Sequence, residues 1–292
     1  MAERLFLFIQ MEFPWELGLA DGRYLLRRAG DREPERVVVL DTVEGRRASG
    51  RSSGRVLKTR RGPQVEPEPE PEPVATARAT VIDPVSVTAE RQAQAWLRGL
   101  DAEREARTAA ATLNKMLYAH RIATADPHVR ELSPALALVV RAGWGEGEQV
   151  AYGNWLHARE LRWSEHKARR RAGVLRPQER LAALLGARGE ALVCEELALR
   201  ARLDFDEGRL RHAALELEHA YAAALAELTA ENRVELDERL AELAKLNPGV
   251  VQAGHAALSR DVEQPDAEIV SHALTRLEAA LRARAAAGSV DT

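Results

Sequence analysis

The sequence predicts an α+β protein, with a small antiparallel β module at the N-terminus followed by a larger all-α helical bundle. Three observations point to this. Short apolar runs separated by turn residues fill positions 4–60, helix-period apolar stripes follow from about Thr88 onward, and Ala, Leu, Arg and Glu dominate the composition. Those four are strong helix formers, so composition and periodicity agree. At 292 residues, with 46% hydrophobic and 30% charged residues, the chain can build a substantial core.

The strands come first. Leu5 to Ile9 is an apolar run that stops before Pro14, and Arg23 to Arg27 follows the turn dipeptide Asp21-Gly22. Val37 to Leu40 is entered after Pro34, and Arg55 to Lys58 follows a Gly/Ser-rich stretch. Residues 65–74, VEPEPEPEPV, alternate Glu and Pro. Proline removes amide donors and biases each preceding residue to extended backbone, so the segment reads as a polyproline-II spacer. Ala75 to Asp83 has β-prone composition and is a candidate fifth strand, ended by Pro84. The expected boundaries are a β module at 1–84, a helical domain at 85–288 and a frayed tail at 289–292.

The helices follow in order. Trp96, Leu97 and Leu100 share one face of a first helix, and Leu113, Met116 and Leu117 one face of a second. Asp126-Pro127 and Ser133-Pro134 look like helix starts, the latter opening ALALVVRA up to Gly143. Arg176-Pro177 begins another helix, and two longer ones are expected at about 190–204 and 207–229. Leu210, Ala214, Leu217, Tyr221 and Leu225 form a stripe in the second of these. Leu236 to Leu246 continue the habit until Asn247-Pro248-Gly249, read as a stop, and a last helix starts at Pro265.

Charge and cysteine content bound the function. A net charge of −3 gives no global attraction to nucleic acid or anionic lipid. The lone Cys194 excludes an intramolecular disulfide, and its helical context ALVCEELAL suits a small core residue. The apolar N-terminal run is too short for a signal peptide, and no stretch approaches the roughly 18 apolar residues of a membrane span. The expectation is a cytoplasmic protein with no membrane role.

Candidate chemistry is sparse. Gly143, Gly145 and Gly147 lack the G-x-G-x-x-G spacing and carry Glu146 and Glu148, so a helix-to-helix connection is favoured over phosphate binding. Glu216, His219 and His212 have a spacing that could hold a metal, but no second E-x-x-H accompanies them, and a solvated face is favoured. Asp204, Asp206 and Gly208 lack the calcium-loop spacing, and Asp206 reads as a helix N-cap. Catalytic residues, metal ligands and cofactors are therefore assigned as none.

Two basic stretches stand out. The first contains Arg46, Arg47, Arg51, Arg55, Lys58, Arg60 and Arg61. The second, within 155–180, includes Arg169, Arg170 and Arg171 with Trp155 and Trp163 nearby. Such clusters neutralise phosphates, and aromatic planes stack on unpaired bases. Trp15, in the loop FPWEL, together with Trp144, Trp155 and Trp163, is a candidate partner surface.

The stretches FIQMEFPWELGLADGRYLLR and GWGEGEQVAYGNW with ARELRW resemble uncharacterised hypothetical proteins of high-GC actinobacteria. That resemblance spans about half the chain and implies no activity, cofactor or catalytic residue. The expected function is a non-enzymatic interaction or regulatory protein presenting a helical surface to a protein partner or to itself. A nucleic-acid-associated protein using 46–61 and 155–180 is the alternative, and an enzyme with a pocket near 144–166 the third reading.

Overall fold

The computed structural model describes residues 4–28, 30–43, 75–162, 177–187, 189–259 and 264–287. It is an α+β structure, with an antiparallel six-stranded sheet in its N-terminal part and a larger helical region. The chain divides into two compact units, Met1–Trp163 and Ser164–Thr292.

The first unit holds β1 (Leu5–Phe13), β2 (Gly22–Leu26), β3 (Arg36–Val43), β4 (Thr76–Ile82), α1 (Glu90–Gly99), α2 (Ala102–Thr124), β5 (Val139–Glu146) and β6 (His157–Glu160). The strand order is β2-β3-β4-β1-β5-β6. The candidate fifth strand at 75–83 thus joins the sheet as β4, between β3 and β1. The expected strand at 55–58 and the Glu-Pro spacer at 65–74 lie outside the described residues.

Alternation along β1 sets the layers. Leu5, Ile9, Met11 and Phe13 belong to one core with Leu97 of α1 and Leu113 and Leu117 of α2. The opposite face carries Phe8, which packs with Val37, Val39 and Ile82 beneath Val150 and Ala151 of a short 3₁₀ turn. Farther along that face the side chains become polar. Buried Gln10 donates to Thr80 Oγ1 at 2.9 Å, and Glu12 is held between Arg141 at 2.8 Å and Arg78 at 3.1 Å.

Three expectations in this unit are corrected. The run ALALVVRA is not a helix: a 3₁₀ turn at Pro134–Leu136, capped by Ser133, leads into β5. Gly143 and Gly145 are strand residues rather than a helix-to-helix loop. A Cβ on Gly143 would collide with the carbonyl oxygen of His157 and sit 2.8 Å from Phe8, so β6 can pair this closely with β5 only because the side chain is missing. Asp126-Pro127 does not start a helix either; Asn114 ties that connection down, donating to Leu132 O at 3.0 Å and accepting from Leu132 N at 2.7 Å. Because β5 and β6 complete the sheet and α1 and α2 cover it, the boundary between units falls at residue 163/164 instead of near residue 84.

The second unit contains α3 (Pro177–Leu185), α4 (Val193–Asp206), α5 (Leu210–Ala230), α6 (Asp237–Leu258) and α7 (Ala267–Ala287). Its core is lined by Ala198, Ala201, Ala213, Leu217, Ala224, Leu228, Leu243, Val250, Leu274 and Leu277. Tyr221 is fully buried and donates its hydroxyl to Ala273 O at 2.8 Å, which satisfies the one polar atom it brings inside. Gly208, at φ +73°, makes the turn between α4 and α5. Asp206 ends α4 instead of capping α5, which starts after Arg209.

Asn247-Pro248-Gly249 does not stop α6. The helix runs through Pro248, whose ring faces solvent, while Val250, Ala253 and Ala257 beyond it are buried. Burial of that last stretch outweighs the lost hydrogen bond and the ring clash, which together cost about 3 kcal/mol in an unsupported helix.

Candidate functional site

The sequence of α4, VCEELALRARLDFD, carries apolar residues around most of the helix, leaving a polar strip of Arg202, Glu195 and Asp206. Only part of them can reach the core. Cys194, Ala198 and Ala201 are buried against α5, and Leu197 and Phe205 pack beside them. The surplus faces outward: Val193 is 59% exposed, Leu199 68% and Leu203 46%. At about 100° per residue these three lie within roughly 120° of arc. Glu196 and Arg200 stand between them, exposed and joined to each other at 2.9 Å. On α3, Leu181 and Leu185 are exposed as well. Exposed apolar side chains scattered singly are ordinary on protein surfaces; here three share one helix face.

A polar cluster anchors this helix at its N-terminal end. Glu227 of α5 accepts the N–H groups of Val193 and Cys194, each at 3.0 Å. Leu192 N–H reaches Glu195 Oε2 at 2.9 Å, so three of the otherwise unpaired first-turn amides are satisfied. Glu195 also meets Arg180 at 3.0 Å and Arg284 at 3.2 Å, and Arg284 binds Glu231 at 2.6 Å. Burial, followed by the hydrogen bond and charge of Glu227, pushes the Cys194 thiol up to about 12. It is a packed core residue with no nucleophilic character at neutral pH.

The sequence-predicted sites fare differently. Arg46, Arg47, Arg51, Arg55, Lys58, Arg60, Arg61, Arg169, Arg170, Arg171 and Trp163 lie outside the described residues. Of the described arginines of the second basic stretch, Arg159 donates to Leu97 O at 2.5 Å and Arg180 binds Glu195, while Arg162 is exposed and lies 3.7 Å from Glu160. Trp15 is partly exposed and leans on Phe13, with ring centroids 5.6 Å apart. Trp155 is half-buried against Phe8 at 5.8 Å. Trp144 is 2% exposed and stacks on His157 at 4.7 Å, which removes it from the expected partner surface. Its place on β5, with alternate residues Val140 and Ala142 also buried, is the reason.

Glu216 and His219 sit on α5, where the His219 ring contacts the backbone oxygen of Leu215 at 2.8 Å. Among the described residues no three His, Cys, Asp or Glu side chains converge as a metal site. A cleft of about 380 Å³ lies beside the β1–β2 connection, lined by Glu16, Leu17, Asp21, Asp41 and Thr42. Its Asp21 is engaged, accepting from Thr42 N at 3.0 Å and Thr42 Oγ1 at 2.9 Å. Among the described residues no helix is long and apolar enough to cross a membrane.

Comparison of the chain with protein-family models, with curated proteins and with solved structures gives no match. The outward face of α4 was missed by sequence reading. The apolar excess in ALVCEELAL was visible, but which leucines the neighbouring helices would leave uncovered was not.

Proposed function

We propose that this is a non-enzymatic, cytoplasmic interaction or regulatory protein whose helical unit presents the outer face of α4 to a protein partner or to a second copy of itself. The observation that carries this reading is the exposed set Val193, Leu199 and Leu203 on a helix whose other side is anchored in the core. A helix held rigidly from behind loses little freedom when its front is covered, so each apolar side chain it buries contributes close to its full transfer energy.

The test is capture of the tagged full chain from its own cells, beside the variant L199E/L203E. The reading predicts a stoichiometric protein that survives nuclease and high salt and is absent with the variant. Equal recovery with both chains, from a protein whose sedimentation also stays monomeric at every concentration, contradicts it. Nucleic acid that is lost as salt rises would instead favour the basic segments 46–61 and 155–180.

A further inference from the structure

The outer face of α4 has an order that suits one particular occupant. Along it run Val193, Glu196, Leu199, Arg200 and Leu203, and the arrangement is nearly symmetric about position 198, whose own side chain points into the core. Val193 and Leu203 lie equally far on either side of that position, as do Glu196 and Arg200. Resting on the function proposed above, we infer that α4 pairs with α4 of a second copy of this chain, antiparallel, about a two-fold axis passing the helix at the level of Ala198.

A two-fold contact is self-complementary by construction, because each residue i that meets j is matched by j meeting i. In the antiparallel arrangement Val193 faces Leu203 of the second copy, and the reverse contact is made at the other end. Glu196 faces Arg200 twice, once on each side of the axis. The two Leu199 side chains flank the axis and cover one another. The parallel alternative places Glu196 against Glu196 and Arg200 against Arg200, so charge selects the antiparallel pairing. Glu196 and Arg200 already pair within the helix, and their side chains remain 60% and 58% exposed, so both can swing across.

The contact is small. A helix of 14 residues is about 21 Å long and buries a few hundred Å² per copy, below the roughly 800 Å² typical of a stable complex. The pairing is therefore weak and reversible, with a dissociation constant on the order of 10–100 µM.

Analytical ultracentrifugation of the full chain from about 5 to 500 µM spans that range. Wild type shifts from monomer towards dimer across the series. Glu196→Arg and Arg200→Glu each place like charges opposite one another twice and weaken pairing about tenfold. An equimolar mixture of these two variants brings every reversed residue opposite an unlike charge and recovers the wild-type affinity. No change within a single chain can mimic that recovery. L199E/L203E stays monomeric, and unaltered circular dichroism melts show that each variant is folded. A monomeric wild type throughout, a dimer that persists in L199E/L203E, or a mixture no tighter than its components overturns the inference. If wild type is monomeric yet captures a protein that L199E/L203E does not, self-pairing fails while the interaction function stands.

Discussion

Glu227 and Cys194 are joined at the start of α4: the carboxylate of one accepts the backbone N–H of the other at 3.0 Å, and the neighbouring N–H of Val193 reaches the same carboxylate at 3.0 Å. A side chain of α5 thereby caps a helix to which it does not belong. The bond fixes where α4 begins, and with it the face that α4 turns outward.

That cap makes stability sensitive to acid. Burial disfavours the ionised form of Glu227, but hydrogen bonds from Cys194 and Val193 and the nearby charge of Arg284 outweigh it and hold the carboxyl below its ordinary 4.5. A carboxyl lowered on folding stabilises the native state above its unfolded value and loses that contribution as the pH falls through the folded one. Urea titrations should therefore show wild type losing stability below about pH 4.5, with a smaller decline in Glu227→Gln. At neutral pH the variant should be less stable by about 1 kcal/mol.

The Cys194 thiol, raised to about 12 by burial and by Glu227, should be unreactive in the native protein. A thiol-specific colorimetric reagent should report no free thiol in buffer and one per chain in denaturant. Prompt labelling without denaturant would mean that the start of α4 is open.

Gly143 should not tolerate a side chain. The atoms that a Cβ would meet include the His157 carbonyl oxygen and the Ala158 Cα, and backbone of this kind cannot rotate away. Gly143→Ala should destabilise the first unit by about 1–3 kcal/mol, measured as a fall in the midpoint of its denaturant transition. An unchanged midpoint would refute the close approach of β6 to β5 at Gly143.

Pro248→Ala should move stability the other way. The ring faces solvent inside α6, so removing it restores a backbone hydrogen bond without emptying the core. A gain of up to about 3 kcal/mol is expected, read as a higher melting temperature of the helical unit.

The same residue shows where sequence reading stops. Asn247-Pro248-Gly249 carries every local sign of a helix end, yet Val250, Ala253 and Ala257 are buried by neighbours more than a turn away. Tertiary packing decided the matter, and no local pattern reports it. The run after Ser133-Pro134 was read as a helix from its Ser-Pro start alone. The signal that reading passed over is the β-branched pair Val139-Val140 and the alternation of Val140, Ala142 and Trp144. By contrast, β1, β3 and β4 were legible because composition, alternation and turn residues agreed. For α4 the helix was legible and its outward face was not, since its apolar residues spread over far more than one face and only the packed bundle shows which are in excess.

Val193, Leu199 and Leu203 form a surface that the folded chain does not use for its own stability. Thermal unfolding of dilute L199E/L203E tests it most directly. At exposures of 68% and 46% these substitutions should change stability by no more than about 0.5 kcal/mol each, leaving the melting temperature within a few degrees of wild type. A loss of several kcal/mol in the dilute monomer would show that the chain itself covers α4, which contradicts a free outer face.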